Sequence, residues 1–268
     1  MPVLTDATFV RYQQWLRERT GVNLTEVKKT LVHQRLIKRL QARNIDTFEA
    51  YFRVLLASSE EAERQLALDL LTTHETYFFR EPKHFQWFKH YLLSPQAVGR
   101  ALRVWSAASS SGEEVWSIAM MLSDFLGLQG TWYLLGSDIS QPVLAKAQQG
   151  HYPMSRCEGI PPAYLRDFCL KGQGAQLHTL RIMPALRKRV DFRLVNLNEA
   201  LPDLGHFDVI FLRNVLIYFD IETKNTVLLR CIDALQPGGY LLVSHSESLT
   251  GFQLPLDLVQ AGIYRKRA

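Results

Sequence analysis

Apolar residues recur at helical spacing through the first third of the chain. The pattern predicts a helix over 6–19 with Gly21 as its stop signal. It predicts a second over 25–43, with Thr25 as N-cap and Val27, Leu31, Leu36 and Leu40 on its apolar side. A third begins at Asp46 and Thr47 and carries Phe48, Tyr51, Phe52, Leu55 and Leu56. A fourth follows Ser58 and Ser59 with Ala62, Leu66, Leu70 and Leu71. No strand pattern interrupts this region, and its leucine and aromatic stripes read as core. From Arg100 onward, short apolar runs alternate with helical stretches. Strands are expected at 102–105, 133–136, 191–195, 207–212, 240–244 and 262–265, and helices at 113–126, 141–149 and 222–235. Ser140 would cap the second of these helices, and Pro237-Gly238-Gly239 would close the third. Such alternation implies a mostly parallel sheet covered on both faces, with one antiparallel edge strand at its end. Within it, Phe168–Lys171, the glycine turn Gly172-Gln173-Gly174 and the run 177–182 predict a small β-hairpin insertion over 164–189. The expected architecture is therefore α/β, with a helical N-terminal domain over 1–93 and an alternating domain over 94–268.

Composition narrows the class without changing that picture. Of 268 residues, 47 % are apolar and 21 % charged, with 15 Gly and 11 Pro, which excludes a disordered or low-complexity chain. No apolar run approaches the roughly 18 residues of a membrane helix, since Arg213 and Asn214 interrupt the strongest candidate. The first residues lack a basic and then apolar leader, so a cytoplasmic protein without membrane insertion is expected, and a monomer. Cys157, Cys169 and Cys231 form no C-x-x-C, and the eight histidines form no H-E-x-x-H, so neither a disulfide framework nor a metal is expected.

The formal net charge is +5, and the second helix carries it: Lys28, Lys29, Arg35, Lys38, Arg39 and Arg43 stand there against Glu26 alone. Lys28, Arg35, Arg39 and Arg43 fall within an arc of about 80°. Such an arc reads either as a solvated face or as a docking surface for an acidic partner. Aromatic residues are not interleaved with it, so a nucleic-acid platform is not indicated.

Candidate chemistry lies at the carboxyl ends of the first two strands, where open α/β sheets bind ligands. After the first comes Ser106-Ala107-Ala108-Ser109-Ser110-Ser111-Gly112-Glu113-Glu114, a small-residue loop leading into a helix. It is not G-x-G-x-x-G, and two acids at the helix start disfavour a pyrophosphate. Asp138 ends the second strand, where a carboxylate can accept both ribose hydroxyls of a nucleoside. A positively charged nucleoside such as S-adenosylmethionine fits both features.

Four segments in one order carry a family resemblance: Thr72-Thr73-His74-Glu75-Thr76-Tyr77-Phe78-Phe79-Arg80-Glu81, Trp105 through Glu114, Ser137-Asp138-Ile139-Ser140, and Phe207 through Phe219 with Arg213-Asn214-Val215-Leu216-Ile217-Tyr218. Over nearly its whole length the chain resembles the chemotaxis receptor methyltransferases, CheR-like protein-glutamate O-methyltransferases. The resemblance implies a Rossmann-like catalytic domain binding S-adenosylmethionine, with S-adenosylhomocysteine as product, and a small helical N-terminal domain. It places Thr76 and Arg80 at the methionine end of the cofactor, with His74 beside them where the family usually has Asn. Glu114 and Asp138 would serve the ammonium and ribose sides, Asn196 and Leu197 the adenine, and Arg213 and Asn214 the methionine moiety or pocket wall. Val115-Trp116 replaces the usual Pro-Tyr after the two acids.

The implied substrate is glutamate on the helical cytoplasmic region of a chemoreceptor, methylated at membrane-bound receptor arrays for sensory adaptation. An acidic receptor helix would give the Lys28/Arg35/Arg39/Arg43 face a docking role, and the hairpin insertion grips a receptor tail in some family members. Carboxylate methylation needs no general base, because a solvent-like Glu with a pKa near 4.3 is already ionised at neutral pH. Arg80 and Tyr218 are the candidates for orienting the acceptor. Two alternatives stand beside this reading: a non-catalytic S-adenosylmethionine-binding adaptor, and a methyltransferase for another acceptor. The second lacks the N-P-P-Y type segment expected for amino-group methylation.

Overall fold

Thr5 and Thr47 each accept a backbone N–H three residues on, from Thr8 at 3.2 Å and Ala50 at 3.1 Å, and so start two helices of a computed structural model that describes residues 2–267. The chain folds as two compact units, Met1–Thr73 with Tyr218–Lys224, and His74–Ile217 with Asn225–Ala268.

In the first unit, α1 (Asp6–Thr20) ends at Gly21, whose φ of 76° lets its N–H reach the Arg17 carbonyl. It is followed by α2 (Lys29–Ala42), α3 (Phe48–Leu56) and α4 (Glu61–Leu71). Tyr12, Leu16, Leu36, Leu40, Phe48 and Tyr51 are fully buried between them. Thr25 does not cap α2: it precedes a single 3-10 turn (Glu26–Lys28) and its side chain makes no capping bond. The returning segment pairs with the stretch after α1. Val22 bridges Phe219, the Asn23 N–H donates to the Tyr218 carbonyl at 2.8 Å, and Arg17 pairs with Asp220 at 2.7 Å.

Most of the basic arc of α2 is engaged by partners within its own unit. Arg35 donates to the carbonyls of Leu70 and Thr72 at 3.0 and 2.9 Å, satisfying the end of α4. Arg39 grips Glu63 through two bonds of 2.9 and 2.6 Å, and the Tyr51 hydroxyl donates to the same carboxylate at 2.6 Å. Arg43 pairs with Glu60 at 2.8 Å, while Lys28 is exposed. Periodicity places charges on one helix face and is blind to acids arriving from other helices. Glu63 is only 4 % exposed, so Arg39→Ala strands a buried carboxylate and should cost about 2–3 kcal/mol in a urea melt at neutral pH. The hydrogen bond from Arg39 is the main reason Glu63 stays below the usual carboxylate range. That stabilisation is present above the unfolded pKa and lost as pH falls, so the deficit should narrow below about pH 4.

In the second unit come α5 (Pro82–Leu92), β1 (Leu102–Ser106), α6 (Glu113–Leu126), β2 (Trp132–Asp138), α7 (Gln141–Gln149), β3 (His151–Pro153), α8 (Pro162–Phe168), β4 (Cys169–Lys171), β5 (Thr179–Ile182), α9 (Pro184–Arg187), β6 (Val190–Leu194), β7 (Phe207–Phe211), α10 (Ile221–Asp233), β8 (Leu235–Leu242), β9 (Leu256–Gln260) and β10 (Ile263–Lys266); the first four residues of α10 belong to the other unit. The main sheet has the order β6-β2-β1-β7-β8-β10-β9. Its first five strands are parallel, and β10 and β9 are antiparallel additions, one more than expected. α5 packs in this unit, with Phe88 and Phe85 lying 5.4 and 6.2 Å from Phe211. The division therefore falls at Thr73/His74 rather than near residue 93.

Two local readings also change. Phe207 pairs with Leu235 and Val209 with Tyr240, so Pro237-Gly238-Gly239 forms an irregularity inside β8 rather than the end of a helix. The insertion is a three-stranded antiparallel sheet, β3-β5-β4, that starts at His151, before the hairpin read from sequence.

Candidate functional site

The sheet order reverses direction at β1, between β2 and β7, and the predicted site residues of this unit converge on the carboxyl ends of these strands. The loop after β1 is held open by its neighbours' backbones: the Ala107 N–H donates to the Phe211 carbonyl at 2.9 Å, and the Ser109 N–H to that of Ser137 at 2.7 Å. Gly112 has a φ of 95°, and a Cβ there would lie 2.7 Å from the Cβ of Ala147 on α7, so the position admits only glycine without strain.

Asp138 closes β2 beneath this loop. Its carboxylate accepts the backbone N–H of Ser110 at 2.9 Å and of Ser140 at 3.1 Å, and His74 Nδ1 stands 3.5 Å away. Burial pushes its pKa above the ordinary aspartate value, against the opposing pull of His74 and the backbone donors. The Ser110 hydroxyl donates to the His74 carbonyl at 2.8 Å, tying the segment before α5 to the loop. Val195 donates its N–H to the Asp138 carbonyl at 3.0 Å, which sets Asn196 and buried Leu197 beyond the end of β6. The Asn196 amide bonds Glu199 at 2.9 Å and its oxygen accepts the Asn198 N–H at 3.0 Å, so this side chain shapes its own turn.

Glu114 and Arg213, read separately from the sequence, form a buried ion pair at 2.6 Å. The Ser106 hydroxyl donates to Glu114 at 2.8 Å, and Arg213 reaches the Arg80 carbonyl at 2.5 Å and Glu81 at 3.2 Å. Asn214, at a φ of 58°, donates its N–H to Glu247 at 2.9 Å and its amide to the Ser244 hydroxyl at 2.8 Å. Thr76 is buried; the Arg80 guanidinium bonds the Glu75 carbonyl at 3.0 Å and lies 5.4 Å from the Tyr77 ring centroid. Tyr218 belongs to the segment that folds with the N-terminal helices, where its carbonyl receives Asn23.

Sequence reasoning missed the polar bracket behind Arg213. Glu81 accepts from the Ser244 hydroxyl at 2.7 Å and from the His245 N–H at 3.2 Å, and Glu247 gathers the N–H groups of Asn214, Ser244 and Ile217. The polar run Ser244-His245-Ser246-Glu247 after a buried strand was the available signal. Burial alone would raise the Glu81 pKa, but His84 Nδ1 at 3.2 Å, the Ser244 hydroxyl and Arg213 outweigh it and hold the carboxyl well below its usual range. Glu81, fully buried His84 and His245 bring ligand atoms within 4.8 Å of one another. The cation in contact with that carboxylate is Arg213, which disfavours a second one there.

The chemistry of this donor set suits a nucleoside rather than a phosphate. The loop is small enough for backbone approach, Asp138 is a buried carboxylate at the end of β2, and the helix after the loop opens with two acids. The buried Ser109 Oγ, Ser140 Oγ and Arg213 Nε have no hydrogen-bond partner among the described residues, as expected where a polar ligand completes the set.

Comparison with known proteins agrees with this chemistry. The family profile described as CheR methyltransferase, SAM binding domain, matches residues 74–264, and the one described as CheR methyltransferase, all-alpha domain, matches residues 7–72. The chain is 38 % identical over 265 residues to a chemotaxis protein methyltransferase of Salmonella typhimurium, covering 97 % of this chain and 90 % of that protein. It is 37 % identical over 267 residues to the protein of that name in Escherichia coli, covering 97 % and 91 %. It is 39 % identical over 246 residues to chemotaxis protein methyltransferase 2 of Pseudomonas aeruginosa, covering 91 % and 87 %.

Proposed function

The chain belongs to the CheR methyltransferase family, and from that premise we infer that it transfers a methyl group from S-adenosylmethionine to glutamate side chains of a chemoreceptor, forming methyl esters for sensory adaptation. The observation that carries this reading is the match of both family domains, in order, with chemotaxis methyltransferases over nearly the whole chain. No helix among the described residues is long and apolar enough to cross a membrane, so the receptor would supply the membrane association.

S-adenosylmethionine supplies an electrophilic methyl group. In our reading Asp138 and His74 hold the ribose side, the loop 106–112 and Asn196-Leu197 the nucleoside, and Thr76, Arg80, Asn214 and the Glu114–Arg213 pair the amino-acid end. The acceptor carboxylate is already ionised, so no residue of this chain has to take a proton. Its oxygen forms the new bond to carbon as the carbon–sulfur bond breaks, leaving methyl ester and S-adenosylhomocysteine. Arg80 and Tyr218 have the task of orientation, which supplies rate by fixing the approach of the nucleophile. Arg80 positions the carboxylate rather than neutralising it, since tight pairing would reduce nucleophilicity.

The test is label transfer from methyl-labelled S-adenosylmethionine to membranes of the source organism. Label that enters a protein band and leaves as methanol in mild alkali is the expected result. Alkali-stable label would overturn the carboxylate acceptor, and cofactor binding without label would favour the adaptor. Tyr218→Phe should lower kcat about tenfold or more while leaving the Kd for S-adenosylhomocysteine within about twofold. An unchanged kcat would remove Tyr218 from the reaction.

A further inference from the structure

We infer that Arg156, in the turn after the first strand of the small sheet, is a positioning residue for the cofactor loops, acting through the main chain of Thr76. The inference rests on the reading of Thr76 and the loop 106–112 as cofactor contacts. Arg156 follows β3 in a short 3-10 turn (Met154–Arg156). One terminal nitrogen of its guanidinium donates to the Thr76 carbonyl at 2.8 Å and lies 2.7 Å from Glu113 Oε1. Thr76 is on the segment before α5, and Glu113 is the first residue of α6, directly after Gly112. A single side chain therefore joins the two loops that would enclose the ligand.

The surroundings make this a wall rather than a stray contact. The Tyr152 hydroxyl on β3 donates to the Ser111 carbonyl at 2.7 Å, and its ring meets Phe78 edge-on at 5.1 Å. Gly159 lies so close to the Phe78 carbonyl that a Cβ would come within 2.3 Å of that oxygen. Residues 152–159 thus touch both segments, at Thr76 and Phe78 and at Ser111 and Glu113. Glu113 is fully buried, so its carboxylate needs Arg156 and the Ser111 hydroxyl, which donates to it at 2.6 Å. Arg156 itself is 40 % exposed at its side chain, so the clamp sits at the surface on the side of the small sheet. A ligand that moved this turn would be felt by the cofactor, and the coupling would be reciprocal.

The experiment measures S-adenosylhomocysteine affinity by calorimetry on the full chain, with melting temperature and initial rates taken alongside. Arg156→Ala should raise Kd and the cofactor KM about tenfold or more, the loss of a charge-assisted bond, with kcat at saturating cofactor within about twofold. Arg156→Lys should fall between wild type and Arg156→Ala, because a single ammonium can still reach the carbonyl. Glu113→Gln keeps the bond to Thr76 and should leave Kd within about threefold. Equal losses in Arg156→Ala and Glu113→Gln would overturn the inference in favour of simple support of the α6 start. An unchanged Kd in Arg156→Ala would overturn it outright. If Arg156→Ala does not fold, Tyr152→Phe tests the same wall: a roughly threefold rise in Kd supports it and no rise counts against it. Wild type that binds no S-adenosylhomocysteine would instead defeat the cofactor reading on which the inference stands.

Discussion

Arg213→Met should be the most destabilising single substitution at the site, costing about 3–5 kcal/mol. Its side chain is fully buried between Glu114 and Glu81 and also binds the Arg80 carbonyl, so removal strands two carboxylates and an acceptor. For a chain of this size the loss is on the order of 10 °C in melting temperature. The double variant Arg213→Met/Glu114→Gln should recover part of it, because one of the two stranded charges is gone. Glu81, held well below the usual carboxylate range, adds a pH signature. A depressed pKa stabilises the fold above the unfolded value and loses that contribution as pH falls, so the gap between wild type and Arg213→Met should be widest near neutrality and shrink below about pH 4. Calorimetric melts at pH 7 and pH 4 check both parts. A gap independent of pH would mean that Arg213 acts through packing rather than charge.

Gly112→Ala is expected to be the second largest, at about 2–5 kcal/mol, combining a left-handed backbone with a contact 2.7 Å from the Cβ of Ala147. Adding Ala147→Gly removes the Cβ contact but leaves the Ala147 Cα 2.9 Å and Trp116 Nε1 3.1 Å from the new methyl group, together with the dihedral strain. The double variant should therefore recover only a minor part of the loss in a urea melt. Since Gly112 also sets the end of the loop 106–112, affinity for S-adenosylhomocysteine should fall in both variants. Affinity restored in full by the double variant would mean that the loop tolerates alanine and only α7 objects.

What the chain revealed before folding depended on how local the signal was. The stretches 113–126 and 141–149 coincide with α6 and α7 end to end: α7 buries one face, at Val143, Leu144 and Ala147, while α6 is buried on all sides from Glu113 to Ser123 and is bounded by Gly112 and Gly127. β3 went unread as a three-residue strand ending in Pro153, and β9 because four of its five residues are exposed and carry no alternation. Pro237-Gly238-Gly239 reads as a turn in any one-dimensional scan, and only pairing with β7 makes it part of a strand. At the site, residues borne on motif loops were legible one at a time, but their partnerships were not. That Glu114 and Arg213 neutralise each other, or that Glu81 meets Ser244, depends on contacts across 99 and 163 residues of chain. The basic arc of α2 shows the same limit from the other side. A charge pattern on one helix says nothing about carboxylates contributed by the next.

The excursion of Tyr218–Lys224 bears on how the molecule can be cut. A fragment ending at Thr73 would contain all four N-terminal helices and still be an incomplete folding unit, with Val22, Asn23 and Arg17 deprived of Phe219, Tyr218 and Asp220. The helical region is stitched shut by residues synthesised only after β7, so its last native contacts have to wait until most of the chain has left the ribosome.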